Sequence, residues 1–376
     1  MNEILTNIAA KSYRFVISGG GTGGHLFPAI AIANKLSQKF PGCGILFVGA
    51  LGRMEMEKVP ATGYPIIGLP IEGFQRKQIF NNINLPYKML KSLIISGKIL
   101  KTIKPQVVIG TGGYASFPLV YRASKMKIPS IIQEQNFFPG KSNMFLSKYV
   151  NKVCVIDEKL KAYFPENKIV VTGNPVRENL VDFISAKPSY YLDFDLKPGN
   201  FTLLVLGGSL GAKTINESIL GCYESLLDND IQMIWQTGKF YYQGITQKIH
   251  TTKESSLCIK PFIDQMEKAY AIADLVVCRA GAITLSELAL LKKPAILIPS
   301  PNVAEDHQTK NALSLVDKKA AIMVTDNLAR ETLSATILNI FKDKSTLTEL
   351  SSNIYKLANP DSTELIVNEV LKLIKV

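Results

Sequence analysis

Short apolar runs alternate with longer amphipathic segments along almost the whole chain. Runs at 14–18, 44–49, 107–110, 130–133, 152–156 and 168–172 read as buried strands, and a second series follows at 201–206, 232–236, 256–260, 275–279, 295–299 and 321–324. Segments 28–40, 216–227 and 284–292 carry apolar residues at helical spacing. Alternation of this kind predicts the α/β class, with parallel sheets covered by helices on both faces. The series begins twice, each time with a strand leading into a glycine-rich turn, so the pattern predicts two doubly wound, Rossmann-like domains. The boundary is expected near 173–177. Segment 185–200, with Pro188, Pro198 and two tyrosines, reads as an ordered connection.

Length and composition agree with two domains. Of 376 residues 47% are apolar and 20% charged, enough for two full cores and too apolar for disorder. The five cysteines lie far apart without a C-x-x-C, which argues against a disulfide framework or a cysteine-held metal. With only three histidines, His-rich metal catalysis is also disfavoured. Glu3, Lys11 and Arg14 interrupt the N-terminus, and no apolar run reaches the ~18 residues of a membrane span, so peripheral membrane contact is the expectation. The net charge of +12 points to phosphorylated ligands or an anionic membrane surface.

The two turns carry the first candidate chemistry. Gly19-Gly20-Gly21-Thr22-Gly23-Gly24 fits G-x-G-x-x-G between a strand and a helix, where backbone N–H groups approach an anion. A dinucleotide fold would also place an acid at the end of the next strand. Here that strand ends Phe47-Val48-Gly49-Ala50, with no acid before Glu55, so the dinucleotide reading is weak and a purely structural turn stays open. His25 follows the turn directly, at the sheet edge where ligands bind, and reads either as a general base or as a packed histidine. Gly207-Gly208-Ser209-Leu210-Gly211-Ala212 is the second turn, suited to a pyrophosphate, with Lys213 and Asn216 beside it.

Several polar clusters follow other strands. Gly281-Ala282-Ile283-Thr284-Leu285-Ser286-Glu287 opens a helix. Glu287 there is either half of a capping box with Thr284 or a carboxylate for the vicinal diol of a ribose. Glu305, Asp306, His307, Gln308 and Asn311 suit sugar hydroxyls or a solvated helix start. Residues 112–116 and Gln133-Glu134-Gln135-Asn136 would line the same site. The strings Asp193–Asp195 and Asp228–Asp230 sit off the strand ends and read as turns, so no metal is expected. Between Glu72 and Lys104 stand Arg76, Lys77, Lys88, Lys91, Lys98, Lys101 and Lys104, interleaved with Phe74, Ile79, Phe80, Ile83, Leu85, Tyr87, Met89 and Leu90. Such a stretch is either a solvated helix face or an interfacial membrane contact.

Both glycine turns, Gln133–Asn136, Gly173-Asn174-Pro175-Val176-Arg177, Ala282–Glu287 and Gln308–Ala312, in this order, closely resemble the MurG family. These are bacterial undecaprenyldiphospho-muramoylpentapeptide β-N-acetylglucosaminyltransferases. The resemblance runs from about Phe15 to the C-terminus. It implies the GT-B fold, two Rossmann-like domains facing each other across a cleft. Residues 1–176 with a returning helix in 357–376 would form the acceptor and membrane side, and 177–356 the donor side. It implies inverting transfer of N-acetylglucosamine from UDP-N-acetylglucosamine to the 4-hydroxyl of the muramoyl sugar of lipid I, giving lipid II. Carried over from the family, Ser209 and Arg177 would hold the pyrophosphate, the Ile263 backbone the uracil, and Ala282, Ile283, Thr284, Leu285, Ser286 and Glu287 the ribose and phosphates. Gln308 would contact the sugar, and Thr22, Gly23, Gly24 and Asn136 would approach from the first domain. His307 replaces a glutamine of many relatives. His25, assisted by Glu134, is the candidate base. No metal and no cofactor are implied. The family also implies a peripheral place on the cytoplasmic face of the inner membrane, with cell-wall synthesis proteins as partners and no nucleic acid. Alternatives are another GT-B enzyme, such as a diacylglycerol glycosyltransferase or a UDP-N-acetylglucosamine 2-epimerase, or a non-catalytic nucleotide-sugar-binding subunit.

Overall fold

The apolar run after Tyr13 forms β1 (Arg14–Ser18), flanked by β2 (Gly44–Ala50) and β3 (Ile66–Leu69) on one side. On the other side lie β4 (Val107–Gly110), β5 (Ser130–Glu134), β6 (Lys152–Val155) and β7 (Ile169–Val171). The seven pair in the order β3-β2-β1-β4-β5-β6-β7, all parallel. This computed structural model describes residues 1–74, 82–176, 178–183, 187–208, 210–251 and 254–374. It divides into two units, Met1–Arg177 with Asn359–Val376 and Glu178–Ala358.

Because successive side chains of a strand face opposite ways, the first sheet feeds two cores. Val16, Leu46, Val48, Val108 and Ile132 pack on one face with Ile99, Leu100 and Leu119. Phe15, Ile17, Ile45, Phe47 and Ile109 pack on the other with Leu26, Ile32 and Leu36 of helix Gly23–Lys39. Ile366, Val367 and Val370 of the last helix, Ser362–Leu373, join that second core. Lys35 lies 3.3 Å from Glu364, Lys39 also pairs with Glu364, and Asn368 Oδ1 accepts from Lys39 at 2.9 Å.

The second unit repeats the plan with β8 (Thr202–Leu206), β9 (Gln232–Gln236), β10 (Leu257–Lys260), β11 (Leu275–Cys278), β12 (Ala295–Leu297) and β13 (Ile322–Met323). The parallel order is β10-β9-β8-β11-β12-β13. In each sheet the strand order reverses beside the first strand, between β1 and β4 and between β8 and β11. Loops leaving the carboxyl ends there diverge and leave room for a ligand.

Four local elements differ from the sequence pattern. Strand β3 and the first helix, Asn2–Ala9, were not predicted: Pro65 and Gly68 interrupt the first signal, and only Leu5 and Ile8 of the second are buried. Helix Gly23–Lys39 starts inside the glycine run and accommodates Pro28, five residues before the expected start. The helix expected over 216–227 is two, Lys213–Leu220 and Tyr223–Asp228, separated at Gly221 and Cys222.

Candidate active site

At the switch point of the first sheet, Thr22 caps helix Gly23–Lys39 in an extended conformation, so Gly23 and Gly24 form its first turn. His25 stands one residue further on. Its Nδ1 lies 3.0 Å from Thr22 Oγ1, and its carbonyl accepts from Thr111 Oγ1 at 2.7 Å. The 111–113 turn after β4 presses on the ring: a Cβ at Gly112 would lie 2.8 Å from Cδ2 and 3.3 Å from Nε2. Two turns from adjacent strands therefore fix a half-buried histidine at the sheet's carboxyl edge.

One amide of the first glycine turn, that of Gly21, points inward to a side chain of the protein. Gly21 N–H donates to Glu55, at 3.1 Å to Oε2 and 3.3 Å to Oε1, and Ala50 N–H donates to Oε1 at 3.0 Å. Glu55 is fully buried, and a Cβ at Gly20 would overlap its carboxylate. The acid missing from the end of β2 thus arrives five residues later and serves the turn itself. Tyr114 closes over Gly21, its phenol pushed up by burial, lowered by Arg53 and raised again by the Glu55 charge.

Glu134 is buried at the end of β5. Its Oε1 accepts from the backbone N–H and the Nδ2 of Asn136, both at 3.1 Å, and its Oε2 from Gly140 N–H at 3.0 Å and Asn143 Nδ2 at 2.9 Å. It binds the 134–143 loop, and the Asn143 amide that it holds lies near the same Gly112 position that packs on the His25 ring. Gln133, Gln135 and Asn174 are also buried: Gln133 Nε2 donates to Asn174 Oδ1 at 2.8 Å, and Asn174 Nδ2 to the Gln135 carbonyl at 3.0 Å.

In the second unit the 207–212 turn is pinned to the end of β9. Gly211 has φ +80° and lies so close to the Thr237 carbonyl that no side chain fits. Asn216 Nδ2 donates to that carbonyl at 2.9 Å, and Asn216 Oδ1 accepts from Trp235 Nε1 at 3.0 Å. Gln236 joins two expected contacts, donating to Gly208 O at 3.1 Å and accepting from Ile263 N–H at 2.8 Å. The Ile263 amide is thereby engaged within the protein. Helix Lys213–Leu220 then begins, and its first-turn amides precede the first intrahelical bond, Asn216 N–H to Ala212 O.

Helix Ala282–Leu290 starts behind β11 with Gly281 as its cap. Thr284 therefore lies inside the first turn, and the Thr284–Glu287 capping box does not form. Glu287 is buried and accepts from Tyr270 Oη at 3.2 Å, while Ser286 Oγ donates back to Ala282 O. Arg279, at the edge of β11, donates to the carbonyls of Ile298 and Pro299 at 3.0 and 3.1 Å and to Asp326 at 2.5 Å. Asp326 also accepts from Thr214 at 2.9 Å, so one ion pair links the ends of three strands to the helix behind the glycine turn. Burial pushes the neighbouring Cys278 thiol up to about 12, an inert sulfur.

Gln308 Oε1 accepts from Ser300 N–H at 2.8 Å, on helix His307–Val316. The approach to that helix is strained, since Glu305 and Asp306 both adopt left-handed angles, φ 56° and 51°. Arg177 and Ser209, expected at the pyrophosphate, lie outside the described residues, as do Arg76, Lys77, Ile79 and Phe80. The Asp-x-Asp strings end in left-handed Asp195 and Asp230, and Asp193 pairs with Lys268 at 2.8 Å. Among the described residues no group of three acids, cysteines or histidines is placed to hold a metal.

The comparisons with known proteins agree on the class. Residues 15–155 match the glycosyltransferase family 28 N-terminal domain and residues 202–366 its C-terminal domain. A relative from Cytophaga hutchinsonii is 51% identical, with 97% of this chain and 98% of the relative covered. One from Parabacteroides distasonis is 48% identical over 97% of this chain and 99% of its own length. Both are named UDP-N-acetylglucosamine--N-acetylmuramyl-(pentapeptide) pyrophosphoryl-undecaprenol N-acetylglucosamine transferase. The crystal structure of Acinetobacter baumannii MurG superposes with a TM-score of 0.74 at 30% identity, covering 95% of this chain and 99% of that one. A Neisseria meningitidis UDP-GlcNAc 2-epimerase, at 15% identity and TM-score 0.64, shares the fold alone. Fold and domain matches define a glycosyltransferase of family 28. Within that family the chain belongs to the MurG group.

Proposed function

We propose that this chain transfers N-acetylglucosamine from UDP-N-acetylglucosamine to the 4-hydroxyl of the muramyl sugar in a polyprenyl-pyrophosphoryl acceptor, with inversion at the anomeric carbon. The observation that carries this reading is the near-half identity, over almost the full chain, to relatives named for that transfer. The first unit takes the acceptor and the second the donor. With His25 Nδ1–H given to Thr22 Oγ1, Nε2 keeps its lone pair and accepts the proton of the attacking hydroxyl. The hydroxyl oxygen bonds to the anomeric carbon from the face opposite UDP, and the bond to the diphosphate oxygen breaks.

Negative charge then gathers on UDP. Arg177, Ser209 and the amide ends of helices Lys213–Leu220 and Ala282–Leu290 supply positive potential there. Glu287 takes the ribose diol, the Ile263 carbonyl the uracil, and Gln308 the sugar. Gly23, Gly24 and Asn136 line the acceptor side, with Glu134 ordering Asn136 rather than moving a proton.

The acceptor's lipid anchor asks for a membrane surface. Helix Leu85–Ile103 buries Ser92, Ser96, Ile99, Leu100 and Ile103 and leaves Tyr87, Leu90 and Ile94 exposed on the opposite side beside Lys91 and Lys98. Ile83 and Phe74 are exposed next to it. Among the described residues no helix is long and apolar enough to cross a membrane. We assign this face to reversible docking on an anionic bilayer at the cytoplasmic side.

The test is transfer from labelled UDP-N-acetylglucosamine to a short-chain lipid I analogue, with the anomeric configuration of the product read by NMR. A β-linked disaccharide is expected. Free UDP with an epimerised sugar, or tight UDP binding without turnover, would point to one of the alternatives instead.

A further inference from the structure

The buried acid beneath the first glycine turn takes no part in the chemistry above. We propose that Glu55 is a positioning residue of the transferase, a carboxylate that holds the Gly21 amide from inside the fold and so sets Thr22 and His25. The proposal rests on the reading of His25 as the base.

Three observations carry it. The carboxylate joins the ends of two adjacent strands: it accepts Ala50 N–H at the end of β2 and Gly21 N–H in the turn after β1. The cavity around it is shaped by absent side chains. A Cβ at Gly20 would overlap the carboxylate, and one at Gly49 would lie 2.5 Å from its Cγ. From the other side Gly113 packs against the Gly20 carbonyl, and a Cβ there would lie 3.3 Å from His25 Nδ1. Gly21, which the carboxylate holds, directly precedes Thr22, which holds the imidazole. A shift of the turn therefore reaches the ring within one residue.

The same geometry bears on the substrate. A glycine-rich turn before a helix usually turns its amides to a ligand phosphate. Here the Gly21 amide is occupied by the protein's own carboxylate and is not available to a ligand phosphate.

Two variants test this on the full-length protein. Glu55→Gln keeps the shape but places an N–H₂ against N–H donors, and Glu55→Ala empties the place. Turnover with the lipid I analogue is expected to fall about tenfold or more in both, with the Michaelis constant for UDP-N-acetylglucosamine within about twofold of wild type. Formate, a carboxylate small enough for the emptied cavity, is expected to restore part of the turnover of Glu55→Ala and none of His25→Ala. The chain has three histidines, so their ring signals give an independent readout by NMR. In Glu55→Gln the signal of His25, assigned by its loss in His25→Asn, should move while those of His250 and His307 stay. Unchanged turnover with an unmoved His25 signal would overturn the proposal. So would a loss without formate rescue in which all three signals move, since Glu55 would then serve folding only. If wild type transfers no sugar while the His25 signal still moves, positioning stands and the reading of the reaction fails.

Discussion

On the roles proposed for them, His25 and Glu287 are the two side chains whose removal should separate chemistry from binding. Replacing His25 by alanine takes away the proposed proton acceptor and leaves the second unit untouched. Turnover should drop roughly 10²–10⁴-fold, with UDP affinity by calorimetry little changed. A large loss of UDP affinity would instead make His25 a donor ligand. Glu287→Ala should raise the Michaelis constant for the donor and narrow the preference for UDP- over 2′-deoxy-UDP-sugar, because a carboxylate facing a missing hydroxyl costs roughly 1–3 kcal/mol. Equal discrimination by mutant and wild type would reduce Glu287 to the partner of Tyr270. The sequence pointed to both residues because each follows a glycine-marked strand end. It did not point to Gln236 or the Arg279–Asp326 pair, whose partners lie 27 and 47 residues away along the chain. Glu55 was visible only as an acid standing too late for a dinucleotide. Its partner, Gly21, is 34 residues back, and no local pattern links them.

Among elements, the strands were the most legible, since a strand buried on both faces is a continuous apolar run with little else to be. Boundaries moved by a residue or two. Strand β3 escaped because an edge strand interrupted by glycine has almost no pattern, and the start of helix Gly23–Lys39 escaped because glycine and proline both argue against a helix that packing nonetheless imposes. Helix Leu85–Ile103 carries the prediction at this scale. Lys88 already pairs with Glu72 at 2.7 Å, so its share in membrane attraction is reduced, while Lys91 and Lys98 are exposed. Each exposed cation contributes about 1 kcal/mol near an anionic surface. The quadruple variant Arg76→Glu, Lys77→Glu, Lys91→Glu, Lys98→Glu should lose cosedimentation with anionic vesicles yet keep transfer to a soluble acceptor. Leu90→Asp with Ile94→Asp should weaken vesicle binding at high salt as well, where charge is screened. Vesicle binding untouched by both sets would leave this helix as an ordinary solvated face.

For the whole molecule, two expectations follow from how charge and chain are distributed. Positive potential at the donor phosphates is assigned to Arg177 and helix ends, so turnover should persist in EDTA; loss restored by magnesium or manganese would revive the Asp-x-Asp strings. The returning helix is the second. Ile366, Val367 and Val370 are fully buried against the first sheet, and burying each such side chain contributes roughly 1.5–3 kcal/mol. A chain ending at Ala358 should therefore lose the cooperative melting of the first unit while the second keeps its own transition. Calorimetry showing both transitions intact would make that helix dispensable.

The discontinuity of the first unit also orders events on the ribosome. Residues 178–358 are a contiguous stretch whose core does not include the last helix. The first unit begins earlier but waits for residues 359–376, so at roughly 5–20 residues per second it spends many seconds with the face around Phe15, Ile17 and Ile109 uncovered. The first half to be made is thus the last to close. Released chains cut short after Ala358 would carry a second unit with its full core beside a first unit with an open apolar face, which is the form a chaperone or protease would meet.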